Sequence, residues 1–138
     1  MFFDKARGAD FGERRKRGGQ LVSKHRFIAA QFEAFFAENL WLTLARHANR
    51  LATRLADGLS ASGIPPVWPV EANLVFAALP PATDQRLRAA GASYYAMQRQ
   101  DVPDTTAAKR DHVLARLVTS FSTTEAEVDR FVTVARGA

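Results

Sequence analysis

The sequence predicts an α+β fold, two long helices followed by a mostly antiparallel sheet with helices on one face. Three observations carry this reading. Leu40, Leu44, Ala48, Leu51, Leu55 and Leu59 recur at three- and four-residue steps, the spacing of one helix face, while Arg46, Arg50, Arg54 and Asp57 fall opposite. Beyond Pro65 and Pro66 the apolar residues begin to alternate, as they do along strands. The chain then closes on a second helical stripe, Val128, Phe131, Val132 and Ala135.

The elements follow in order. Ser23 to Glu38 is the first long helix, with Ile28, Phe32, Phe35 and Phe36 on one face. A lone helix cannot hide that much apolar surface. The rings pack either on the Leu40–Leu59 helix or against a larger assembly or second subunit. The Leu40–Leu59 helix has Asn39 as its N-cap, and Gly63, Pro65 and Pro66 as its stop. Val67 to Val70 and Asn73 to Leu79 read as short strands, and Thr83 to Ala90 as a short helix closed by Gly91. Ala92 to Met97 and Val113 to Thr119 are further strands. Between them Gln98 to His112 is polar, contains Pro103 and reads as a surface loop. Thr124 to Ala135 is the last helix, and both Ser122/Glu125 and Thr124/Glu127 have the spacing of a capping box.

Composition narrows the classes of function. A chain of 138 residues suits one compact domain, and 47% hydrophobic with 24% charged residues is the balance of a soluble globular chain. No apolar run approaches the roughly 20 residues of a membrane span, and the first residues lack the apolar core of a secretory signal. Zero cysteines exclude disulfides, thiolate catalysis and cysteine-ligated zinc, and fit a reducing, cytoplasmic setting. The net charge of +5 is local. Residues 1–26 hold eight basic and three acidic side chains, whereas the other 112 residues hold eleven of each. The N-terminal segment either meets an anion or is a solvated charged face.

Few residues carry chemistry by themselves. His25, His47 and His112 lie far apart, none at metal-ligand or general-base spacing, so no metal site is expected. The run Arg14-Arg15-Lys16-Arg17 could contact phosphates, but no aromatic residues interleave with it, which disfavours nucleic acid. Gly18-Gly19 reads as a flexible turn that could also approach an anion. Arg116 stands out because it interrupts the apolar run Leu114 to Val118. There a guanidinium either meets an anion, for which its planar fork suits a carboxylate, or points to water from an edge strand.

Together these residues resemble a known family. The stretch RRKRGGQLVSKHRFIAAQFEAFFAENLWLTLARHANRLATRLADGL is similar to the C-terminal half of low-specificity threonine aldolases, of the aromatic amino acid beta-eliminating lyase/threonine aldolase group. So are Pro69-Val70-Glu71-Ala72-Asn73, Arg88-Ala89-Ala90-Gly91 with Tyr94-Tyr95, and the ending RLVTSFSTTEAEVDRF. The resemblance implies the small C-terminal α+β domain of a fold type I pyridoxal-phosphate enzyme over residues 39–138. Residues 1–38 would be a remnant of the large domain and a connecting helix. It implies a tetrameric enzyme that splits L-threonine or L-allo-threonine into glycine and acetaldehyde, with the cofactor ring as electron sink.

Position by position, the resemblance gives Arg116 the substrate α-carboxylate. Arg26, and more loosely Arg17, would lie near the cofactor phosphate at a subunit interface. Lys24 belongs to the motif without an assigned role. The sequence also departs from the family. Residues 1–5 align just beyond the Schiff-base lysine, and Lys5, Lys16, Lys24 and Lys109 stand in no matching context to replace it. The segments bearing the ring-stacking histidine and the catalytic base are missing as well, and Gln98–His112 is longer than usual. The expectation is a substrate-carboxylate domain without a catalytic residue of its own, inactive without an N-terminal cofactor-binding domain. The alternative is a non-catalytic domain that self-associates through Phe32, Phe35 and Phe36 or binds anions through residues 14–26.

Overall fold

A computed structural model describes residues 5–98 and 111–137. Two compact units divide the chain, one reaching Leu40 and the other starting at Trp41. Most of the expected 98–112 loop lies outside the described residues.

The first unit is helical. Helices α1 (Lys5–Gly8) and α2 (Phe11–Arg17) precede α3 (His25–Phe36). The sequence reading anticipated neither α1 nor α2. Along α2, Arg14 pairs with Asp10 at 2.7 Å and Arg17 with Glu13 at 3.8 Å, one turn apart. Helix α2 stops at the glycine pair because Gly19 is left-handed (φ 69°), a conformation without steric cost for glycine. Helix α3 buries none of its residues. A 3₁₀ turn, Ala37–Asn39, follows, with Glu38 and Asn39 both left-handed (φ 51° and 59°). Asn39 therefore does not take the extended geometry of the N-cap expected there; asparagine is among the few residues that enter this region readily.

The second unit contains the sheet. Helix α4 (Leu40–Ala61) supplies its longest apolar face and buries Ala48, Leu51, Ala52, Leu55, Ala56 and Leu59. Gly63 (φ 77°) ends it, as the glycine before two prolines foretold. Strands β1 (Leu74–Leu79), β2 (Tyr95–Ala96) and β3 (Val113–Val118) form one sheet in the order β1-β3-β2, with both pairings antiparallel. Helix α5 (Pro81–Ala89) lies between β1 and β2 in sequence and packs on α6 (Glu125–Arg136).

Two expected strands come out differently. Residues 67–70 form no strand: Pro66 makes a single bridge to Ala77, and the Val67 N–H donates to the Phe76 carbonyl at 2.8 Å. Prolines 65, 66 and 69 lack the donors that a longer ladder would need. The expected Ala92–Met97 strand shrinks to Tyr95–Ala96.

Burial separates the two faces of the sheet. Val75, Ala77 and Leu79 of β1, with Ala115 and Leu117 of β3, join Leu51, Leu55 and Leu59 of α4, Leu87 of α5 and Val128 of α6 in one core. The helices thus cover one face, as expected. Leu51, Leu59, Leu79 and Leu87 are fully buried, each contributing about 1.5–3 kcal/mol through removal from water. Helices α4 and α6 meet closely at Gly58, where an added Cβ would lie 2.6 Å from Val132 Cγ2. Two ionic links, Arg50 to Glu125 and Arg54 to Asp129, stitch the same pair on its outer side.

Of the two capping-box spacings, Thr124/Glu127 forms the box. The Glu127 N–H donates to Thr124 Oγ1 at 3.2 Å, and the Thr124 N–H donates to Glu127 Oε2 at 2.7 Å. The Thr124 N–H, and then its hydroxyl, which donates to the same Oε2 at 2.8 Å, hold the Glu127 carboxyl below the usual carboxylate range. Ser122 instead bonds to Ser120. At the other end of α6, Gly137 is left-handed (φ 84°), and the Arg86 guanidinium donates to the carbonyls of Val134 and Ala135. Among the described residues no helix is long and apolar enough to cross a membrane.

Candidate functional site

The site begins with the shortness of β2. Only Tyr95 and Ala96 pair with β3, opposite Arg116 and Ala115, whereas β3 continues to Val118. Residues 91–94 make no ladder with that continuation, and beside it lies a cavity of about 610 Å³ within the second unit. Leu55, Leu87, Val128 and Phe131 give it an apolar lining; Ser93, Tyr95, Arg116, Glu127 and Arg130 give it polar groups. An apolar cavity with a few polar groups suits a small ligand held by one strong contact.

Arg116 lies on β3, the central strand and not an edge strand, though its side chain is exposed as the edge-strand alternative expected. Its side chain leaves the uncovered face of the sheet, where it is exposed and stands between Phe76 on β1 and Tyr95 on β2. The guanidinium carbon sits 4.9 Å from the centre of the Tyr95 ring. Across the sheet, Phe76 is braced edge-on by Trp68, with ring centres 4.8 Å apart. Among the described residues, no acceptor meets the Arg116 N–H groups.

Most other described arginines of this unit behave differently; Arg46 of α4 also meets no described acceptor but does not line the cavity. Arg50, Arg54 and Arg88 pair with carboxylates; Arg86 and Arg130 donate to carbonyls, and Arg136 to a serine hydroxyl. Arg116 alone combines a place in the cavity with N–H groups that no described acceptor occupies.

Tyr94, next in sequence to Tyr95, faces the other way. Its hydroxyl donates to Asp84 Oδ1 at 2.6 Å, and its ring meets Phe131 edge-on. Arg88 lies 4.6 Å over that ring and donates to both Asp84 oxygens at 3.0 and 3.1 Å. Burial, then the bond to Asp84, push the Tyr94 phenol well above its ordinary range. It stays protonated and cannot act as a base at neutral pH. Sequence reasoning missed this trio; Asp84 and Arg88 at four-residue spacing were its visible trace.

The remaining residues singled out from the sequence lie elsewhere. Arg17 and Arg26 belong to the first unit and have different neighbours: Arg17 has Glu13, while Arg26 lies 5.0 Å over the Phe27 ring. Phe32 and Phe36 stack with centres 6.3 Å apart, and Phe35 meets Phe36 edge-on at 5.5 Å. Phe32 is 59% and Phe36 56% exposed. His47 Nε2 donates to the Thr123 carbonyl at 2.8 Å, a structural pin beside the cavity. Among the described residues no group of three or more histidine, aspartate or glutamate side chains is placed to hold a metal ion.

Comparison with known proteins gives this geometry a context. No family model matches the chain. The low-specificity L-threonine aldolase of Pseudomonas aeruginosa is 41% identical over 96 residues, 69% of this chain and 28% of that protein. The enzyme of the same description from another Pseudomonas is 35% identical over the same shares. Among solved structures, the threonine aldolase of Leishmania major superposes with a TM-score of 0.76 at 32% identity, covering 89% of this chain and 33% of that one. The chain thus spans about 28% of the curated relatives it matches. Sequence and fold agree that the chain is a homologue of the low-specificity threonine aldolases over the portion it spans.

Proposed function

We propose that the chain forms the small C-terminal, substrate-carboxylate domain of a threonine aldolase-like lyase. The enzyme is cytoplasmic and pyridoxal-phosphate-dependent, and cleaves L-threonine or L-allo-threonine to glycine and acetaldehyde. One observation carries the reading. Arg116 is among the residues that line the cavity, and no described acceptor meets its N–H groups. Two parallel N–H groups of a guanidinium match the two oxygens of an α-carboxylate.

The described residues do not fit pyridoxal phosphate by themselves. The cofactor takes a lysine amine for its carbonyl, yet no lysine lines the cavity, and Lys5, Lys16 and Lys24 are exposed residues of the other unit. Lys109 lies outside the described residues. A cofactor-bearing domain from the rest of the enzyme would therefore supply that chemistry. Arg26, and more loosely Arg17, would serve the cofactor phosphate only within a fuller assembly, in the tetramer proposed for the enzyme. Mixing the 138-residue protein with a complementary cofactor-binding fragment of a relative tests this. Threonine cleavage appears with the native chain and is lost with Arg116→Ala; absence of rescue overturns the reading.

A second reading is favoured by one observation, the exposed aromatic face of α3. Here the chain is a non-catalytic module that self-associates through Phe32, Phe35 and Phe36. Sedimentation then gives a dimer or larger species that Phe32→Glu with Phe35→Glu returns to monomer.

A further inference from the structure

The cavity holds a second arrangement that neither the resemblance nor the proposed activity assigns. A guanidinium on an exposed sheet face has many rotamers, and binding a carboxylate with two parallel bonds requires one of them. Tyr95 is the direct cross-strand partner of Arg116 and its ring lies under the guanidinium at 4.9 Å. A guanidinium held over the face of an aromatic ring keeps N–H groups for an acceptor. Both residues are among those that line the cavity. The opposite flank is occupied by Phe76, held in turn by Trp68, so the arginine stands between two aromatic side chains.

We propose that Tyr95 is a positioning residue: its ring fixes the plane of the Arg116 guanidinium so that the fork meets an amino acid carboxylate in the cavity. The inference rests on the carboxylate reading of Arg116. It needs the ring and not the phenol hydroxyl, because the contact is with the π face. Ala96, the next residue, turns to the core side of the sheet, so the strand offers no other side chain that could take this role.

The test uses the 138-residue protein without cofactor and follows the Arg116 Nε–H resonance by NMR. In the free protein, Tyr95→Leu raises the fast motion of that Nε while Tyr95→Phe leaves it as in the native chain. Titration with L-threonine shifts the native resonance, and threoninol, which lacks the carboxylate, does not. Tyr95→Leu weakens that binding about two- to fivefold, the scale of an exposed cation–π contact, and Tyr95→Phe restores it. Equal Nε motion in the native and Tyr95→Leu proteins, or equal threonine binding, overturns the positioning role. If stacking is seen but threonine shifts nothing, the carboxylate reading of Arg116 falls, and the positioning role falls with it.

Discussion

The two faces of the three-stranded sheet are built from the same strands and do opposite work. On one face Val75, Ala77, Leu79, Ala115 and Leu117 are buried beneath α4, α5 and α6. On the other, Leu74, Tyr95 and Val118 are 38%, 55% and 55% exposed, and Arg116 rises among them beside Phe76. Strand alternation alone separates the two sets, since neighbouring residues point to opposite sides. The covered face determines whether the domain folds. The open face determines what it can hold. Moving a substitution from Leu117 to Arg116 on β3 should therefore change a stability phenotype into a binding phenotype.

Breaking the covered face gives the largest effect. Leu59→Ala, at a fully buried position in α4, should cost about 2–5 kcal/mol in a urea melt. A loss below 1 kcal/mol would mean that the core is looser than its burial implies. Next comes the helix crossing. Gly58→Ala should destabilise by about 1–3 kcal/mol although alanine is the better helix former, because the new methyl enters the space of Val132. Val132→Ala in the same protein should recover most of that loss, and if it does not, the clash is not the cause. Thr124→Ala, which removes the cap of α6, should cost about 1 kcal/mol.

Arg116→Ala tests the open face. It should change stability by no more than about 0.5 kcal/mol while abolishing the response to L-threonine, the reverse of Leu59→Ala. The smallest effect concerns acid. Arg50 holds the Glu125 carboxyl, and Arg54 the Asp129 carboxyl, below their usual ranges. Carboxyls depressed in the folded state add stability above their unfolded values and lose it as pH falls through the folded ones. The melting temperature should thus decline below the ordinary carboxylate range, and less steeply in Arg54→Ala, which frees Asp129. Both pairs are exposed, so added salt should shrink the difference.

Much of this was legible beforehand, where one residue type answers to one physical demand. The leucine stripe of α4, its glycine stop and the cap of α6 each follow from local spacing. Arg116 was conspicuous because a guanidinium is out of place in an aliphatic strand. What escaped notice depended on partners far away in sequence. Tyr95 and Arg116 are 21 positions apart, and only the register of a two-residue strand brings them face to face. Val67–Val70 had the composition of a strand, but the neighbouring prolines removed its donors. Helices α1 and α2 were hidden because a basic run was weighed for its charge and not for the one-turn pairing of Arg14 with Asp10.

A small neutral clasp sits at the end of the arginine strand. Thr119 sends its hydroxyl to the Ala48 carbonyl at 2.7 Å; its own carbonyl accepts from Asn73 Nδ2 at 2.7 Å, and its N–H donates to the Asn73 carbonyl at 3.1 Å. Three residues upstream, Arg116 therefore inherits its location from an anchor without formal charge. Ionic strength should then weaken what the guanidinium attracts but leave its site undisturbed, so a salt series separates attraction from placement.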